Sequence, residues 1–267
     1  MSGGSAFEGV LEQIDDSVPF EPGYYNESYL DRRITARMRR RGTESHREYR
    51  RLLREEDGER EALMDALTIN VTEFFRNAEM WEVLRDVLRD LTDEQRRVRV
   101  WSAPCADGRE AYSLAMLACD DDDVDESRVE VLGSDISEEA LDHAREGVYH
   151  TTRTTDIAEE LEPLSAPDRY VDREGDAFRV RDAPRRLVTF DTHDLISDGS
   201  RGPFDVVLCR NLLIYIDADH KGSLFDTLEA SLAAAGVLVV GMTESVPPDR
   251  SDGYEPIDKR RRVFRRR

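Results

Sequence analysis

The residues best suited to chemistry in this 267-residue chain follow two short predicted strands. The first strand, 98–101, leads into a loop of small residues at 102–108, and a predicted helix then begins around Glu110. The second strand, 129–133, ends at Ser134 and Asp135. Ligands of open α/β sheets bind at the carboxyl ends of the strands. We therefore expect this loop, Glu110 and Asp135 to face one ligand.

The loop sequence restricts the kind of cofactor. It contains neither the dinucleotide fingerprint G-x-G-x-x-G nor the P-loop pattern G-x-x-x-x-G-K-[ST]. A loop without a phosphate-binding nest suits a cofactor without phosphate, and S-adenosylmethionine (SAM) is such a cofactor. Asp135 would accept hydrogen bonds from both ribose hydroxyls. The alternatives are a helix N-cap or a loop carboxylate for Asp135 and a plain helix-entry turn for Gly108.

The elements around these residues change character along the chain. Residues 1–23 are polar and contain glycine, and fraying is predicted at their start. Helices are predicted at 26–41, 45–54 and 58–67. Strands then alternate with helices, which predicts a parallel, doubly wound sheet. The remaining predicted strands are two short ones near 178–180 and 187–190 and two longer ones at 204–209 and 236–241. The remaining helices are 80–91, 110–119, one from about 137, and 221–235. The basic tail, 259–267, is expected to form a final edge strand.

Composition excludes several classes of protein. The chain carries 38 basic and 58 acidic residues, a net charge of −20, and only Lys221 and Lys259 are lysines. Such an acidic surface disfavours nucleic-acid binding and suits a salt-rich, halophilic cytoplasm. The three cysteines form neither a disulfide framework nor a zinc pattern, so no metal site is expected.

The same survey bears on location. The amino terminus has no positive region followed by an apolar core, so it does not read as a signal peptide. The longest apolar stretch, 232–242, is too short to span a bilayer. We expect a cytoplasmic protein without direct membrane insertion.

Three segments together resemble one family. They are LTINVTEFFR at 67–76, WSA at 101–103 with GREAYS at 108–113, and FDVVLCRNLLIY at 204–215. In this order they resemble the chemotaxis receptor methyltransferases, the CheR family, over roughly residues 25–265. The resemblance implies a small helical domain, 1–72, and a Rossmann-like class I methyltransferase domain, 73–267. It also implies a small antiparallel β insertion at about 150–190.

The resemblance further implies a protein-glutamate O-methyltransferase. Such an enzyme moves a methyl group from SAM to glutamates on the cytoplasmic methylation helices of chemoreceptors, leaving S-adenosylhomocysteine (SAH). Arg76 and Tyr215 match family residues at the reactive centre. The cofactor positions are matched by Asn70, Thr72, Arg76, Glu110, Asp135, Asp194, Leu195, Asn211 and Leu212. The family often has Asn at the position of Asp194, an acid at that of Arg109, and Pro at that of Ala111.

The chemistry implied needs few groups. A glutamate is already an anion at neutral pH, so no general base is required. Charge is neutralised on the way to the transition state, so a dry pocket favours the reaction. The Arg76 guanidinium could grip a carboxylate, either that of the cofactor or that of the incoming glutamate. Its alternative role is a surface ion pair with Glu73.

A basic segment interrupts the acidic chain. Residues 32–54 hold ten Arg and two Glu, a local charge of +8. We predict that Arg33, Arg37 and Arg40 bind the glutamate-rich receptor helix, and the resemblance points the same way. The alternative is a solvated helix surface. The chain is expected to act as a monomer. Rival interpretations are a SAM-dependent enzyme with another substrate and a catalytically silent receptor-docking module.

Overall fold

The computed structural model describes residues 3–18, 20–68 and 72–267. The chain divides into two compact units. One contains the described residues up to Thr68 together with Tyr215–Ser223, and the other contains the described residues up to Ile214 together with Leu224–Arg267. The segment Tyr215–Ser223 therefore clusters with the helical residues rather than with its neighbours in sequence.

Four helices build the first unit: α1 (Gly3–Ser17), α2 (Glu27–Arg41), α3 (His46–Glu55) and α4 (Asp57–Leu67). No helix was predicted before residue 26, whereas α1 covers most of residues 3–18. Phe7, Val10 and Ile14 lie on one face of α1 and are buried, and α1 packs against α3. The spacing of these three residues is that of an amphipathic helix.

A buried carboxylate joins three of these helices. Glu59 of α4 is 1% exposed. Its Oε1 accepts from Arg37 Nε and from the Tyr49 hydroxyl, each at 2.8 Å, and its Oε2 accepts from Arg37 Nη2 at 2.8 Å. Arg41 adds an ion pair at 3.3 Å. Buried charges are stable when they are paired and hydrogen-bonded in this way.

Replacing Tyr49 with phenylalanine should destabilise the helical unit by about 1.5–3 kcal/mol, the range for one hydrogen bond to a charged group. Burial raises the pKa of Tyr49, so its hydroxyl stays protonated and donates to Glu59. Urea unfolding measures the effect. The matched change Tyr24→Phe, at a ring that packs on His220, should leave the unfolding midpoint in place. Equal midpoints for the two variants would contradict the role given to the Tyr49 hydroxyl.

The second unit is built on a seven-stranded sheet of order β6-β2-β1-β7-β8-β10-β9. Five neighbouring strands are parallel, whereas β10 pairs antiparallel with both β8 and β9. The prediction that the basic tail forms an edge strand was wrong, because β10 lies between β8 and β9. The ranges are β1 (Val98–Ser102), β2 (Val129–Asp135), β6 (Val188–Thr192), β7 (Phe204–Cys209), β8 (Leu232–Val240), β9 (Tyr254–Asp258) and β10 (Val263–Arg266).

Helices alternate with the strands along this unit, as predicted. They are α5 (Ala78–Glu94), α6 (Arg109–Asp120), α7 (Glu138–Glu146), α8 (Ile157–Glu160), α9 (Asp182–Arg185) and α10 (Lys221–Ser231). Of these, α6, α7 and α9 pack against the main sheet. The predicted helix 221–235 was too long. Leu232 already pairs with Phe204 in the parallel ladder, and Ala235 has a φ of 60°, which no α-helix continues through. Sheet pairing overrides the helix propensity of the alanines.

A small antiparallel sheet, β3-β5-β4, lies between α7 and β6 in the chain. Its strands are β3 (Val148–His150), β4 (Val171–Glu174) and β5 (Ala177–Val180). The strand predicted near 187–190 is β6, which pairs with β2 in the main sheet. Within the described ranges, no helix is long and apolar enough to cross a membrane.

Candidate active site

The topology brings several of the predicted site residues to the carboxyl ends of neighbouring strands. Strands β6, β2, β1, β7 and β8 are adjacent and parallel, so their carboxyl ends lie side by side. Asp194 follows β6, the 103–108 loop follows β1, Asn211 follows β7 and Glu244 follows β8. Asp135 is the last residue of β2. Strand β1 lies between β2 and β7, where the order of the strands reverses. This crevice is the usual ligand position in such sheets.

Asp135 is a buried strand-end carboxylate. It is 4% exposed, its Oδ2 accepts from Ala106 N at 2.8 Å, and its Oδ1 accepts from Ser137 N at 3.0 Å. Burial raises the pKa of Asp135, and backbone N–H donors oppose that rise by stabilising the anion. A carboxylate offers about four acceptor positions, so Asp135 keeps capacity for further donors. It also fixes the loop after β1. Helix α7 has a different N-cap, Ser137, whose Oγ accepts from Ala140 N.

Glu110, in the first turn of α6, forms a buried ion pair that the sequence did not predict. Its Oε1 accepts from Ser102 Oγ at 2.8 Å and its Oε2 pairs with Arg210 Nη1 at 2.9 Å. Arg210 Nη2 donates to the Arg76 carbonyl at 2.9 Å and to Asn77 Oδ1 at 2.7 Å. The pair therefore connects the ends of β1 and β7 with the 76–77 turn. Arg210 lies inside the CRN string at 209–211, directly after the apolar strand 204–209, and this strand-end position is the signal that could have singled it out.

The start of α6 requires glycine. Gly108 has a φ of 85°, and a Cβ there would lie 2.6 Å from Ala144 Cβ and 2.9 Å from Phe190 Cζ. Arg109 donates to the Thr72 carbonyl at 3.2 Å and forms ion pairs with Asp107 at 3.3 Å and Glu160 at 3.5 Å. The departure from the family at residue 109 thus adds contacts that hold this loop.

The segment after the helical unit is described from Thr72 onward, and Asn70 lies outside the described residues. Thr72 and Arg76 are half-buried. The Arg76 carbonyl also accepts from Trp81 Nε1 at 3.1 Å, so two donors fix the backbone that carries its guanidinium. Arg76 lines an open groove of about 730 Å³ together with Phe74, Phe75 and several acids of 73–82 and 154–163.

Asp194 and Leu195 follow β6. The Asp194 carboxylate accepts from Ile196 N at 2.8 Å and from Ser197 Oγ at 2.9 Å, so it closes a tight local turn. Leu195 is buried. The backbone nitrogen of His193 donates to the Asp135 carbonyl at 3.0 Å, which connects the start of this turn with the end of β2. The turn that contains Asp194 therefore lies beside the end of β2, where Asp135 is located.

Asn211 and Leu212 follow β7. Asn211 has a φ of 62°, and its backbone nitrogen donates to Glu244 Oε2 at 2.9 Å. Leu212 is buried. Glu244 is a buried acid that sequence reasoning missed. It follows the last parallel strand, so the strand-end rule that selected Asp135 could have selected it too.

Tyr215 belongs to the helical unit. Its ring packs on that of Tyr29 of α2, with centroids 4.7 Å apart, and its carbonyl accepts from Asn26 N at 2.9 Å. The Tyr29 hydroxyl donates to the Leu67 carbonyl at 2.6 Å. The first turn of α2 thus holds the predicted reactive-centre tyrosine.

The three predicted substrate-binding arginines of α2 differ in their surroundings. Arg40 is exposed, whereas Arg33 is half-buried with its guanidinium 5.4 Å from the centre of the Tyr29 ring. Arg37 holds Glu59 through two hydrogen bonds. Arg37 therefore has a role inside the unit, and the exposed arginines of α2 are Arg32, Arg39, Arg40 and Arg41.

The buried thiols of Cys105 and Cys209, near the strand ends, are unreactive. Burial raises the pKa of Cys105 and Cys209 well above the usual range, and neighbouring carboxylates add to the rise. Both thiols therefore stay protonated and are poor nucleophiles. Among the described residues, no group of three His, Cys, Asp or Glu side chains is placed to hold a metal ion.

The crevice fits a cofactor with an amino acid part and a ribose. Arg210 Nε is buried and hydrogen-bonds to no described residue, so it offers a donor to an anionic group. Glu110, beside it, is an acceptor suited to an ammonium group, and Asp135 can accept from ribose hydroxyls. SAM has all three of these groups and no phosphate.

Comparison with known proteins agrees with this arrangement. The family description "CheR methyltransferase, all-alpha domain" matches residues 5–68, and "CheR methyltransferase, SAM binding domain" matches residues 70–263. The chain is 31% identical over 226 residues to the "Chemotaxis protein methyltransferase" of Listeria monocytogenes, covering 83% of each chain. It is 33% identical over 232 residues to "Chemotaxis protein methyltransferase 1" of Pseudomonas aeruginosa, again covering 83% of each.

Proposed function

The chain belongs to the CheR methyltransferase family, and from this premise we propose that it methylates glutamate side chains of chemoreceptors. The products are glutamate methyl esters and SAH. The proposal places the enzyme in the cytoplasm, where the receptor methylation helices lie. Because the chain is strongly acidic, we propose that it works in a salt-rich cytoplasm.

The observation that carries the proposal is the group of buried polar side chains at the strand ends. Asp135, Glu110 and Arg210 lie within the segment that matches the SAM binding domain. Each is less than a tenth exposed, and Arg210 keeps a donor without a described partner. Buried polar groups with spare hydrogen-bonding capacity support ligand binding rather than stability alone.

SAM supplies an electrophilic methyl group on a cationic sulfur. The receptor glutamate attacks as an anion, so the protein needs to align the two groups and exclude water rather than remove a proton. Arg76 and Tyr215 are the residues we propose to act on the reacting groups. The guanidinium of Arg76 would hold a carboxylate through two parallel hydrogen bonds. The carbonyl contacts of Arg76 fix where that side chain starts.

The basic segment of α2 and α3 supports the proposal that the partner is a glutamate-rich helix. Its exposed arginines present positive charge within an otherwise acidic chain, which would steer and align a receptor helix of opposite charge. We propose Arg33 and Arg40 as contacts of that helix. Arg37 would contribute indirectly, by holding α2 in place, because its guanidinium is paired with Glu59.

Reversing the charge of this face should weaken receptor methylation without touching the cofactor site. For the double variant Arg39→Glu/Arg40→Glu, we expect the KM for receptor to rise roughly tenfold through lost electrostatic complementarity, and the Kd for SAH to stay unchanged. Initial methylation rates at varied receptor concentration measure the first value, and calorimetry measures the second.

The control is Lys259→Glu/Arg260→Glu, which reverses two exposed charges of the carboxyl-terminal region. It should leave both constants near those of the wild type. If the two double variants raised the KM equally, net charge rather than the α2 face would control docking.

Product analysis tests the proposed reaction directly. A purified chemoreceptor cytoplasmic fragment, treated with enzyme and SAM in molar salt, is digested and examined by tandem mass spectrometry. The proposal expects methyl groups on glutamate side chains. Methyl groups confined to other residue types, or to a small molecule in the extract, would favour a SAM-dependent enzyme with another substrate.

A further inference from the structure

Glu244 connects two loops at the carboxyl ends of the neighbouring strands β7 and β8. It follows β8 and is 4% exposed. Its Oε2 accepts from Asn211 N at 2.9 Å and from Gly241 N at 2.6 Å, and its Oε1 accepts from Ile214 N at 3.3 Å. One carboxylate therefore connects the end of β8 with the loop after β7. We call these four residues, Asn211, Ile214, Gly241 and Glu244, the Glu244 clasp.

The clasp depends on an ionised acceptor. Burial raises the pKa of Glu244, and the backbone N–H groups of Asn211, Gly241, Ile214 and Leu213 oppose that rise. Amide donors aimed at both carboxylate oxygens stabilise the charged form. A neutral side chain of the same size would present at most one acceptor oxygen to these donors.

The clasp also depends on the absence of a side chain at residue 241. A Cβ built on Gly241 would lie 2.5 Å from Glu244 Oε2 and 2.9 Å from Asn211 N. The carboxylate thus occupies the space that any other residue type would fill. An alanine here would displace Glu244 while leaving its charge unchanged.

The loop held by the clasp has an unusual backbone. Asn211 has a φ of 62°, in the left-handed region that non-glycine residues visit rarely. Such a conformation persists where surrounding contacts determine it, and it is frequent at ligand sites. The Glu244 bond to Asn211 N is one of these contacts, and Leu212 follows directly.

We propose that Glu244 is the positioning residue for the cofactor-binding segment Asn211–Leu212. It is almost fully buried and acts through the backbone of that segment rather than by touching the reacting atoms. The inference rests on the proposed function in taking Asn211 and Leu212 as cofactor contacts. It goes beyond that function by assigning their geometry to one carboxylate.

The test uses the full-length Glu244→Gln variant and SAH as the probe. We expect the Kd for SAH to rise about tenfold, because one amide oxygen replaces a carboxylate that accepts at least three N–H groups. The kcat at saturating SAM should stay within about threefold of the wild type, because Glu244 does not touch the reacting groups. The matched control, Glu229→Gln, changes an acid paired with Arg250 and should leave both constants unchanged.

Gly241→Ala provides a second route to the same result. It should also weaken SAH binding, although the carboxylate remains. A purely structural role would instead lower the melting temperature of both variants while their folded fractions bind SAH normally, and that result would overturn the inference. Because SAH binding needs no receptor, the inference is decided even if receptor methylation fails. A wild-type protein that does not bind SAH would overturn both the inference and the proposed function.

Discussion

The Arg210→Met variant should lose about 3–5 kcal/mol of the free energy of unfolding of its α/β unit, together with most SAH binding. The substitution leaves Glu110 buried without its cationic partner, and removing one member of a buried ion pair costs far more than removing both. It also removes the donors to the Arg76 carbonyl and to Asn77. Urea unfolding and calorimetry with SAH measure the two effects.

Two further variants test whether the loss of stability comes from the unpaired charge of Glu110. The double variant Glu110→Gln/Arg210→Met should recover part of the lost stability, because no uncompensated charge remains, while SAH binding stays weak. Arg97→Met removes one member of an exposed pair with Glu130 and should leave the unfolding curve unchanged. If Arg210→Met were as stable as Arg97→Met, the Glu110–Arg210 pair would not organise the site.

The second large effect is expected at Asp135. Asp135→Ala should weaken SAH binding by about 1–3 kcal/mol, or roughly 5- to 150-fold in Kd, because ribose hydroxyls would lose their acceptor. The backbone nitrogens of Ala106 and Ser137 also lose theirs, so the loop after β1 should loosen. Calorimetric titration with SAH measures the affinity.

Asp191→Ala is the matched control. Asp191 lies in the neighbouring strand β6, is exposed, and pairs with Arg201. Its loss should not alter SAH affinity. An Asp135→Ala protein that binds SAH as tightly as Asp191→Ala would exclude Asp135 as the ribose acceptor.

Hydrophobic periodicity and strand-end positions predicted most of the helices and strands. They also selected two residues of the candidate site, Asp135 and Glu110. Asp135 could be selected because it ends an apolar strand, and Glu110 because it opens the next helix. Helix α1 was missed because its polar and glycine-containing sequence hid the spacing of Phe7, Val10 and Ile14. The end of α10 was misplaced because alanines favour helix until β-pairing with Phe204 decides otherwise.

Contacts between distant parts of the chain could not be predicted in this way. Glu110 and Arg210 lie 100 residues apart, and their pairing depends on β1 and β7 being neighbours. Arg37 illustrates the same limit, because helical spacing places it on the basic face of α2 while its guanidinium contacts Glu59 of α4. Periodicity identifies the face of a helix, and tertiary packing decides which charges stay available.

The most direct test of the proposed function is methyl transfer from labelled SAM to chemoreceptor-bearing membranes in molar salt. The label on the receptor is then scored for release by mild base, because carboxyl methyl esters hydrolyse there and N-methyl groups do not. The account predicts base-labile label on the receptor, and none when SAH is present in large excess. Absence of label on the receptor, with SAH bound normally by the same protein, would contradict it and indicate another substrate or a catalytically silent docking module.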